Sequence, residues 1–322
     1  MPRSSLTMRI TETPNAEWSR LVSDGLLTQT PRSLIRPGAA VFTMGSCFAV
    51  EIRQRLRDHG CRIVPDYFGL EFNPEHIRIG RLPERDNLNY YHTFAIRQEF
   101  ERCLGRWTQA PEDHWEVRPD LWFGGDVAYQ DPYRRAVFAR TPDDLHRAIR
   151  KLNETIRIGF EQADIFLITL GLTEVWQKRD DGRAACMNPG YARGGGHAET
   201  EFHRSTIAEN IANLETTVAC IRERRPEAHI AFTVSPVPLG STATGEDVLI
   251  ANMESKSTLR TAAAHVSRTL ENVSYFPAYE ICAALGDVYE PDGRHVRPAV
   301  VRQIVNFFLA QYGIHAATRA AA

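Results

Sequence analysis

Long apolar segments are missing from this sequence. No stretch approaches the roughly 18 apolar residues that a membrane-spanning helix needs, so we expect no membrane partner. The segment 1–20 also lacks the continuous apolar region that signal peptides carry. These two absences predict a soluble, cytoplasmic protein.

Charge of one sign is also scarce. The formal net charge is −2, from 38 Lys and Arg against 40 Asp and Glu, and no basic block stands out. Proteins that bind nucleic acid or anionic membranes concentrate positive charge, because they have to neutralise phosphates. We therefore expect no nucleic-acid partner.

Cysteine is sparse and unpatterned, with six residues and no C-x-x-C pair. This excludes a disulfide framework and a zinc ribbon, and it fits a reducing compartment. The segment 197–203 alternates metal-capable side chains, as a strand would present them, but nothing else in the sequence completes such a site. We expect no metal and no resident cofactor.

A regular alternation of apolar runs and amphipathic segments is present. The apolar runs are 39–44, 61–64, 164–170, 229–234 and 273–276. Helical periodicity follows Gly45 and recurs over 142–156, 207–221, 247–270 and 299–312. Strands alternating with helices of this length predict an α/β fold, in which a parallel sheet is covered by helices on both faces.

Two segments interrupt the alternation. Residues 81–140 contain Trp107, Trp115 and Trp122, and we interpret them as an aromatic-rich insertion on the sheet edge, placed to roof the active site. Residues 178–198 are rich in glycine and arginine, which predicts a mobile loop. With 322 residues and 43% hydrophobic content, the chain is predicted to be one domain over 1–322.

Polar clusters follow the apolar runs, at 44–47, 171–174 and 235–238, and a fourth lies at 292–295 before the last helix. Ligands of open parallel sheets bind beyond the carboxyl ends of the strands. Ser46 or Cys47 in a tight strand-to-helix turn would face the positive end of a helix dipole and free backbone N–H groups. Asp292 and His295, three residues apart, would supply a base and the group that orients it.

The run 42–49, FTMGSCFA, resembles the motif of the GSCFA family, a branch of the SGNH/GDSL hydrolase superfamily. The likeness covers most of the chain and includes FNP at 72–74, TLGLTEVW at 169–176, TVSPVPL at 233–239, YFPAYE at 275–280, and the Asp292/His295 pair. The resemblance implies a three-layer α/β/α sandwich of flavodoxin-like topology with an acyl-ester active site.

The superfamily's nucleophile motif can be aligned with this sequence in two ways. If Gly45 matches the glycine of the superfamily's Gly-Asp-Ser motif, Ser46 takes the aspartate position and Cys47 is the nucleophile. If Ser46 matches the serine, Ser46 is the nucleophile. We favour Cys47, since the first register keeps glycine directly after the apolar strand and needs no gap. His295 and Asp292 carry over as base and orienting acid.

The same resemblance assigns the oxyanion hole to the Gly45 turn, to a second glycine and to Thr173. Thr173 stands where the superfamily has an asparagine, and its hydroxyl would donate one hydrogen bond. Gly69 is the first choice for the second glycine, and Gly80 is the second choice. Thr173 has an alternative role with Glu174, as the cap of a helix after the third strand.

Three residues are predicted to contact substrate, namely Glu174, Asn252 and Ser255. Asn252 and Ser255 match the family, as does Lys256, and their alternative role is to fix a loop.

The predicted function is an acyl-ester enzyme that works through a covalent acyl-enzyme. Ester hydrolysis of a small or carbohydrate-like substrate is the first choice. O-acyl transfer is the alternative, with acyl-coenzyme A or an acyl-carrier thioester as co-substrate and a small-molecule acceptor. A non-catalytic carbohydrate- or acyl-binding protein is the rival from another class. The sequence defines no oligomeric state.

Overall fold

A computed structural model describes residues 6–32, 34–36, 38–82, 88–118, 127–190 and 195–313. The strands are Thr7–Ile10 (β1), Leu26–Gln29 (β2), Ala40–Gly45 (β3), Arg62–Val64 (β4), Ile77–Ile79 (β5), Trp115–Val117 (β6), Ala128–Gln130 (β7), Val137–Ala139 (β8), Ile165–Leu170 (β9), Glu174–Lys178 (β10), Ala184–Ala185 (β11), Thr200–Arg204 (β12), His229–Val234 (β13) and Val273–Phe276 (β14). The helices are Trp18–Asp24 (α1), Cys47–Asp58 (α2), Thr93–Cys103 (α3), Pro142–Gln162 (α4), Ile207–Arg224 (α5), Val248–Thr269 (α6), Ala278–Ala284 (α7) and Pro298–Tyr312 (α8). Of the helices described, none has the length and apolar character to cross a bilayer.

A five-stranded parallel sheet forms the centre, in the order β4-β3-β9-β13-β14. Numbered by their order in the chain, these five strands run 2-1-3-4-5, the order of doubly wound flavodoxin-like sheets. The predicted α/β class and parallel sheet are confirmed. The order reverses between β3 and β9, and at such a reversal a crevice opens beyond the strand ends.

Side chains of the central strands divide between two hydrophobic clusters, because successive residues of a strand point to opposite faces. Phe42 and Phe166 belong to one cluster, together with residues of α3, α4, α5 and α6. Val41 and Leu167 belong to the other, together with residues of α2, α7 and α8. Both faces of the sheet are therefore covered, and β3, β9 and β13 are buried along their whole length and mostly apolar.

Polar side chains cap the starts of two long helices. The Thr141 side chain accepts a hydrogen bond from Asp144 N, and Pro142 occupies the first turn of α4. Asp247 caps α6 in the same way, by accepting from Leu249 N. The helix predicted over 247–270 is confirmed at Val248–Thr269.

The segment 81–140 builds a second layer of structure. It supplies α3 and three strands that join β5 in an antiparallel sheet of order β5-β8-β7-β6. Tyr90 N donates to Gly45 O at 2.7 Å, so the segment meets the central sheet where β3 ends. Trp115 is buried, whereas Trp122 lies outside the described residues.

The prediction of a mobile loop over 178–198 is wrong at Ala184–Ala185, because these two residues form a short buried strand. This strand pairs with β10, and β10 pairs with β12 on its other side. The Gln98 side chain donates to Ala184 O at 2.9 Å and accepts from Ala184 N at 2.7 Å. The strand depends on this distant glutamine, which the local composition does not reveal. Residues 191–194 lie outside the described part of the chain.

A buried charge network joins α3, α4 and the loop between β7 and β8. Arg134 is fully buried, and its Nη2 donates to Glu99 Oε1 at 2.6 Å and to Asn153 Oδ1 at 2.5 Å. Burial alone would raise the pKa of Glu99, but Arg102 and Arg134 outweigh it and lower the pKa to about 2. Glu99 is therefore ionised and paired, as a buried carboxylate has to be.

We expect Arg134→Met to lower the free energy of unfolding by about 3–5 kcal/mol, because it leaves the Glu99 carboxylate buried without its bidentate partner. Urea denaturation measures the change. Arg157→Met is the matched control, since Arg157 pairs with Glu161 on the surface and such pairs contribute about 0.3–0.5 kcal/mol. A cost for Arg134→Met as small as that of the control would contradict the role of this network.

Candidate active site

The candidate site lies where β3 and β9 end side by side. Gly45 and Thr169 are paired in register at this edge, which is the reversal point of the sheet. The loops that follow β3, β9 and β13, and the loop before α8, carry the polar clusters found in the sequence.

Gly45 permits the close turn from β3 into α2. Its φ is +134°, and a Cβ added to it would lie 2.0 Å from Thr169 O. Ser46 N donates to that same Thr169 O at 3.0 Å. Any side chain at position 45 would collide with the β9 backbone, so only glycine lets the first turn of α2 sit directly against β9.

The two candidate nucleophiles have different environments. Ser46 is the N-cap of α2, is 1% exposed, and its Oγ accepts a hydrogen bond from Phe48 N at 3.3 Å. Cys47 is the first residue of the helix and is only partly buried. The serine therefore has a structural role as a helix cap, while Cys47 is the more exposed residue of the two.

The thiol of Cys47 carries its proton at neutral pH. Burial raises its pKa above the ordinary value of 9.0, and the positive charges of Arg135, Lys256 and Arg294 oppose this rise without cancelling it. A base is needed to generate the nucleophile.

Asp292 and His295 are brought together as their spacing predicts. His295 Nδ1 and Asp292 Oδ2 form a hydrogen bond, and the backbone N–H groups of Arg294 and His295 donate to Asp292 Oδ1 at 2.9 and 3.0 Å. These bonds lower the pKa of the Asp292 carboxyl far below its usual range. The carboxylate thus holds the imidazole by Nδ1 and leaves Nε2 as the basic nitrogen.

The imidazole of His295 is 61% exposed. Within the described residues no hydrogen bond joins His295 to Ser46 or Cys47, so the structure forms the acid–base pair but not its contact with the nucleophile. The loop itself is anchored, because Glu290 N donates to His295 O at 2.7 Å.

The backbone N–H groups of residues 171–173, in the loop after β9, are hydrogen-bonded within the protein. Gly171 N and Leu172 N both donate to Tyr91 O, at 3.0 and 2.9 Å, and Thr173 N donates to Ser255 Oγ at 3.0 Å. Thr173 is buried, and Glu174 begins the strand β10. The alternative in which Thr173 and Glu174 cap a helix is therefore wrong, because a strand follows β9 directly.

The three residues predicted to contact substrate are bonded to the protein. Ser255 accepts from Thr173 N, as described above, and Asn252 Oδ1 accepts from Leu239 N at 3.1 Å. The Glu174 carboxylate accepts from Thr242 Oγ1 at 2.6 Å and from Ala243 N at 2.8 Å. All three fix the loops that surround the strand ends.

The second glycine of the predicted oxyanion hole lies away from this cluster of bonds. Gly69 occupies an exposed turn after β4, and the nearest atom to a Cβ built on it is Asp66 O at 4.0 Å. Gly80 N donates to Ala136 O at 2.7 Å, at the end of β5. In the described residues, neither glycine is hydrogen-bonded to the loops 45–47 and 171–173.

Lys256 is a central residue that the predicted site does not include. It is 1% exposed, and its Nζ donates to Gly171 O at 2.7 Å and to Val237 O at 2.8 Å, which ties the loops after β9 and β13 together. Burial lowers its pKa to about 7, with a smaller contribution from Arg294. Its signal in the sequence is a lysine on the face of α6 that also carries the buried Ser255 and Leu259.

Arg135 and Tyr91 were also missed, because both lie in the segment 81–140, far from every motif. The Arg135 guanidinium lies 5.7 Å from the centroid of the Tyr91 ring. Arg135 acts on the charge state of Cys47, and Tyr91 holds the loop after β9 through its carbonyl oxygen. No local pattern in the sequence marks either residue.

The sequence model of the GSCFA family matches residues 40–308. This match spans both the nucleophile turn and the Asp292/His295 loop, and the chain belongs to the GSCFA family. The predicted family is confirmed. No curated protein sequence matches the chain significantly.

Three of the solved structures to which this chain is similar are as follows. A carbohydrate esterase family 2 enzyme with a carbohydrate-binding domain from Corynascus thermopiles (Myceliophthora fergusii) is 18% identical, with a TM-score of 0.27, over 45% of this chain and 35% of its own. A putative platelet activating factor protein from Streptococcus pneumonia is 13% identical over 86% and 84%, with a TM-score of 0.38. A carbohydrate esterase family 3 protein from Talaromyces cellulolyticus is 11% identical over 84% and 94%, with a TM-score of 0.35. The chain spans about a third of the length of the first of these structures.

We expect the rate of Cys47 alkylation by iodoacetamide to keep rising with pH through 9.0, since the pKa of this thiol is raised above that value. Only the thiolate reacts, so the rate follows deprotonation. Peptide mass spectrometry of samples quenched over a pH series gives the profile for Cys47. A plateau reached below neutral pH would mean a preformed thiolate and would contradict the neutral thiol.

Proposed function

We propose that this protein is an acyl-ester hydrolase whose nucleophile is the thiol of Cys47. One observation carries the proposal: the accessible residue of the Gly45 turn is Cys47, whereas Ser46 is buried and occupied as a helix cap. The preformed Asp292–His295 pair supplies the base that a neutral thiol requires. The scaffold that fits these features is the three-layer α/β/α sandwich of SGNH hydrolases.

The proposed reaction has two steps. His295 Nε2 takes the proton of Cys47 as Sγ forms a bond to the acyl carbon, and the protonated imidazole then gives the proton to the departing alkoxide, which leaves as an alcohol. In the second step water attacks the thioester, His295 takes one water proton, and the thiolate leaves and is reprotonated. The products are a carboxylic acid, an alcohol and the free enzyme.

The first step requires the exposed His295 side chain to come within hydrogen-bond reach of Cys47, because the resting structure has no hydrogen bond between them. Catalytic hydrogen bonds often form only when substrate is bound, so an open resting contact is compatible with this role. Asp292 stays ionised throughout, since its pKa is held far below neutral pH, and it stabilises the imidazolium.

Two donors are proposed for the oxyanion. The Cys47 N–H lies at the start of α2, where the helix dipole is positive, and the Thr173 hydroxyl takes the position of the superfamily's asparagine. The N–H groups of residues 171–173 do not contribute, because Tyr91 O and Ser255 Oγ already accept from them.

We expect Cys47→Ala to reduce ester hydrolysis by several orders of magnitude, as loss of a nucleophile does. Ser46→Ala should retain a substantial fraction of the activity and lower stability by about 1 kcal/mol, because it removes only a helix cap. Steady-state kinetics with an aryl acetate and urea denaturation separate these effects. An inactive Ser46→Ala variant beside an active Cys47→Ala variant would reverse the assignment.

Hydrolysis and transfer are separated by their dependence on an acceptor. The protein is given a short-chain aryl ester or acetyl-coenzyme A, each with and without a panel of polyols, and the acyl-enzyme is followed by intact mass. We expect a one-acetyl adduct that is absent in Cys47→Ala, and ester cleavage that ignores the acceptor. Turnover that begins only when a polyol is present, with acylated polyol recovered, would identify a transferase instead. Absence of any adduct with either donor would favour a non-catalytic binding protein.

A further inference from the structure

Three cationic side chains from three separate elements act on Cys47. Arg135 comes from the segment 81–140, Lys256 from α6, and Arg294 from the loop before α8. Each of them favours the negatively charged form of the thiol. Contacts also place two of them at this site. Lys256 Nζ donates to Gly171 O, and a Cβ built on Gly171 would lie 3.3 Å from Ser46 Cβ. Lys256 and Arg294 donate to the neighbouring carbonyl groups of Val237 and Pro238. Three elements that are far apart in the chain therefore place positively charged side chains near Cys47.

Two of these charges are not neutralised by the protein. Lys256 Nζ donates to two backbone carbonyl groups, and Arg294 Nη2 donates to Pro238 O at 3.4 Å. No carboxylate in the described part of the chain forms an ion pair with either side chain. The nearby Asp292 carboxylate is committed to His295 and to two backbone N–H groups.

This arrangement has a cost that an anion would relieve. Lys256 is buried, and Arg294 adds a second positive charge beside it, so the two cations disfavour each other. A negative group placed between them would form charge-assisted hydrogen bonds and remove the repulsion. Arg294 is exposed, so a ligand can reach its guanidinium from solvent.

We propose that the substrate of this site is an anionic ester, with a carboxylate or phosphate group bound between Arg294, Arg135 and Lys256 beside Cys47. The proposal rests on the proposed function, because it places the anion next to the acyl carbon that Cys47 attacks. The anionic group belongs either to the acyl part or to the alcohol part of the ester, and both place negative charge within reach of the same three cations.

The charge at Cys47 can be measured without turnover by comparing iodoacetate with iodoacetamide. The two reagents are close in size and differ in charge, and both require the thiolate, so the ratio of their rates at one pH is independent of the thiol pKa. Cys61 is an internal reference, since it is also partly buried and its pKa is raised to about 11 by burial alone. We expect the iodoacetate-to-iodoacetamide ratio to be about 10-fold higher at Cys47 than at Cys61.

The excess should shrink in Arg294→Gln, in Arg135→Gln and at high salt, because each removes or screens positive charge. Arg157→Gln is the matched control, since it removes one surface charge on α4 and should leave the ratio unchanged. Circular dichroism confirms that each variant is folded. Equal ratios at Cys47 and Cys61 in the parent protein would overturn the proposal.

Matched esters locate the anion. 4-Nitrophenyl hemisuccinate carries it on the acyl side and is compared with 4-nitrophenyl acetate, while 4-acetoxybenzoate carries it on the alcohol side and is compared with 4-acetoxybenzamide. We expect one anionic ester to exceed its neutral partner in kcat/KM by about 10- to 100-fold, and Arg294→Gln to abolish most of that preference.

Cleavage of neutral esters without an anionic preference would refute this inference and leave the hydrolase proposal standing. Failure to cleave any ester would refute the hydrolase proposal, while the alkylation ratio still decides whether the site attracts anions.

Discussion

The close contact between Gly45 and the Thr169 carbonyl determines where the candidate nucleophiles Ser46 and Cys47 lie. A Cβ at position 45 would lie 2.0 Å from that oxygen, and Ser46 N donates to the same atom. The first turn of α2 is therefore held against the end of β9, at the reversal point of the sheet. Cys47 is consequently the first residue of α2 and stands beside the loop that carries Thr173.

The opposite side of the site is held by contacts of another kind. Tyr91 O accepts from two successive N–H groups of the loop after β9, and Lys256 donates to the carbonyl of Gly171 in the same loop. Buried polar groups need such partners, so the loop is rigid because its backbone groups are satisfied. In the proposed mechanism these hydrogen bonds exclude the same N–H groups as oxyanion donors, and the Cys47 N–H and the Thr173 hydroxyl are the donors that remain.

The sequence predicts those features that depend on local spacing. Periodicity locates the central strands and their helices, and the Asp292–His295 contact follows from an i, i+3 turn. The sequence does not predict the contact of Lys256 with Gly171, because these residues are 85 positions apart. It also does not predict the strand at Ala184–Ala185, because that strand depends on the Gln98 side chain from α3. Such contacts arise from tertiary packing of the segment 81–140 and of α6, and no local pattern records them. Family resemblance marked Lys256 for substrate contact or for fixing a loop, but it did not predict which backbone groups the lysine binds.

The positive charges around Cys47 do not produce a thiolate in the free protein. Burial outweighs Arg135, Lys256 and Arg294, so the thiol stays protonated and gains little from them before reaction. In the proposed reaction, negative charge enters the site when substrate arrives and again when the tetrahedral oxyanion forms, and at both moments the charges of Arg135 and Arg294 are already in place. A preorganised positive site costs no reorganisation during the reaction, which is the condition under which electrostatic stabilisation is most effective. The unfavourable proximity of Lys256 and Arg294 in the free protein is consistent with a site whose electrostatics are completed by its ligand.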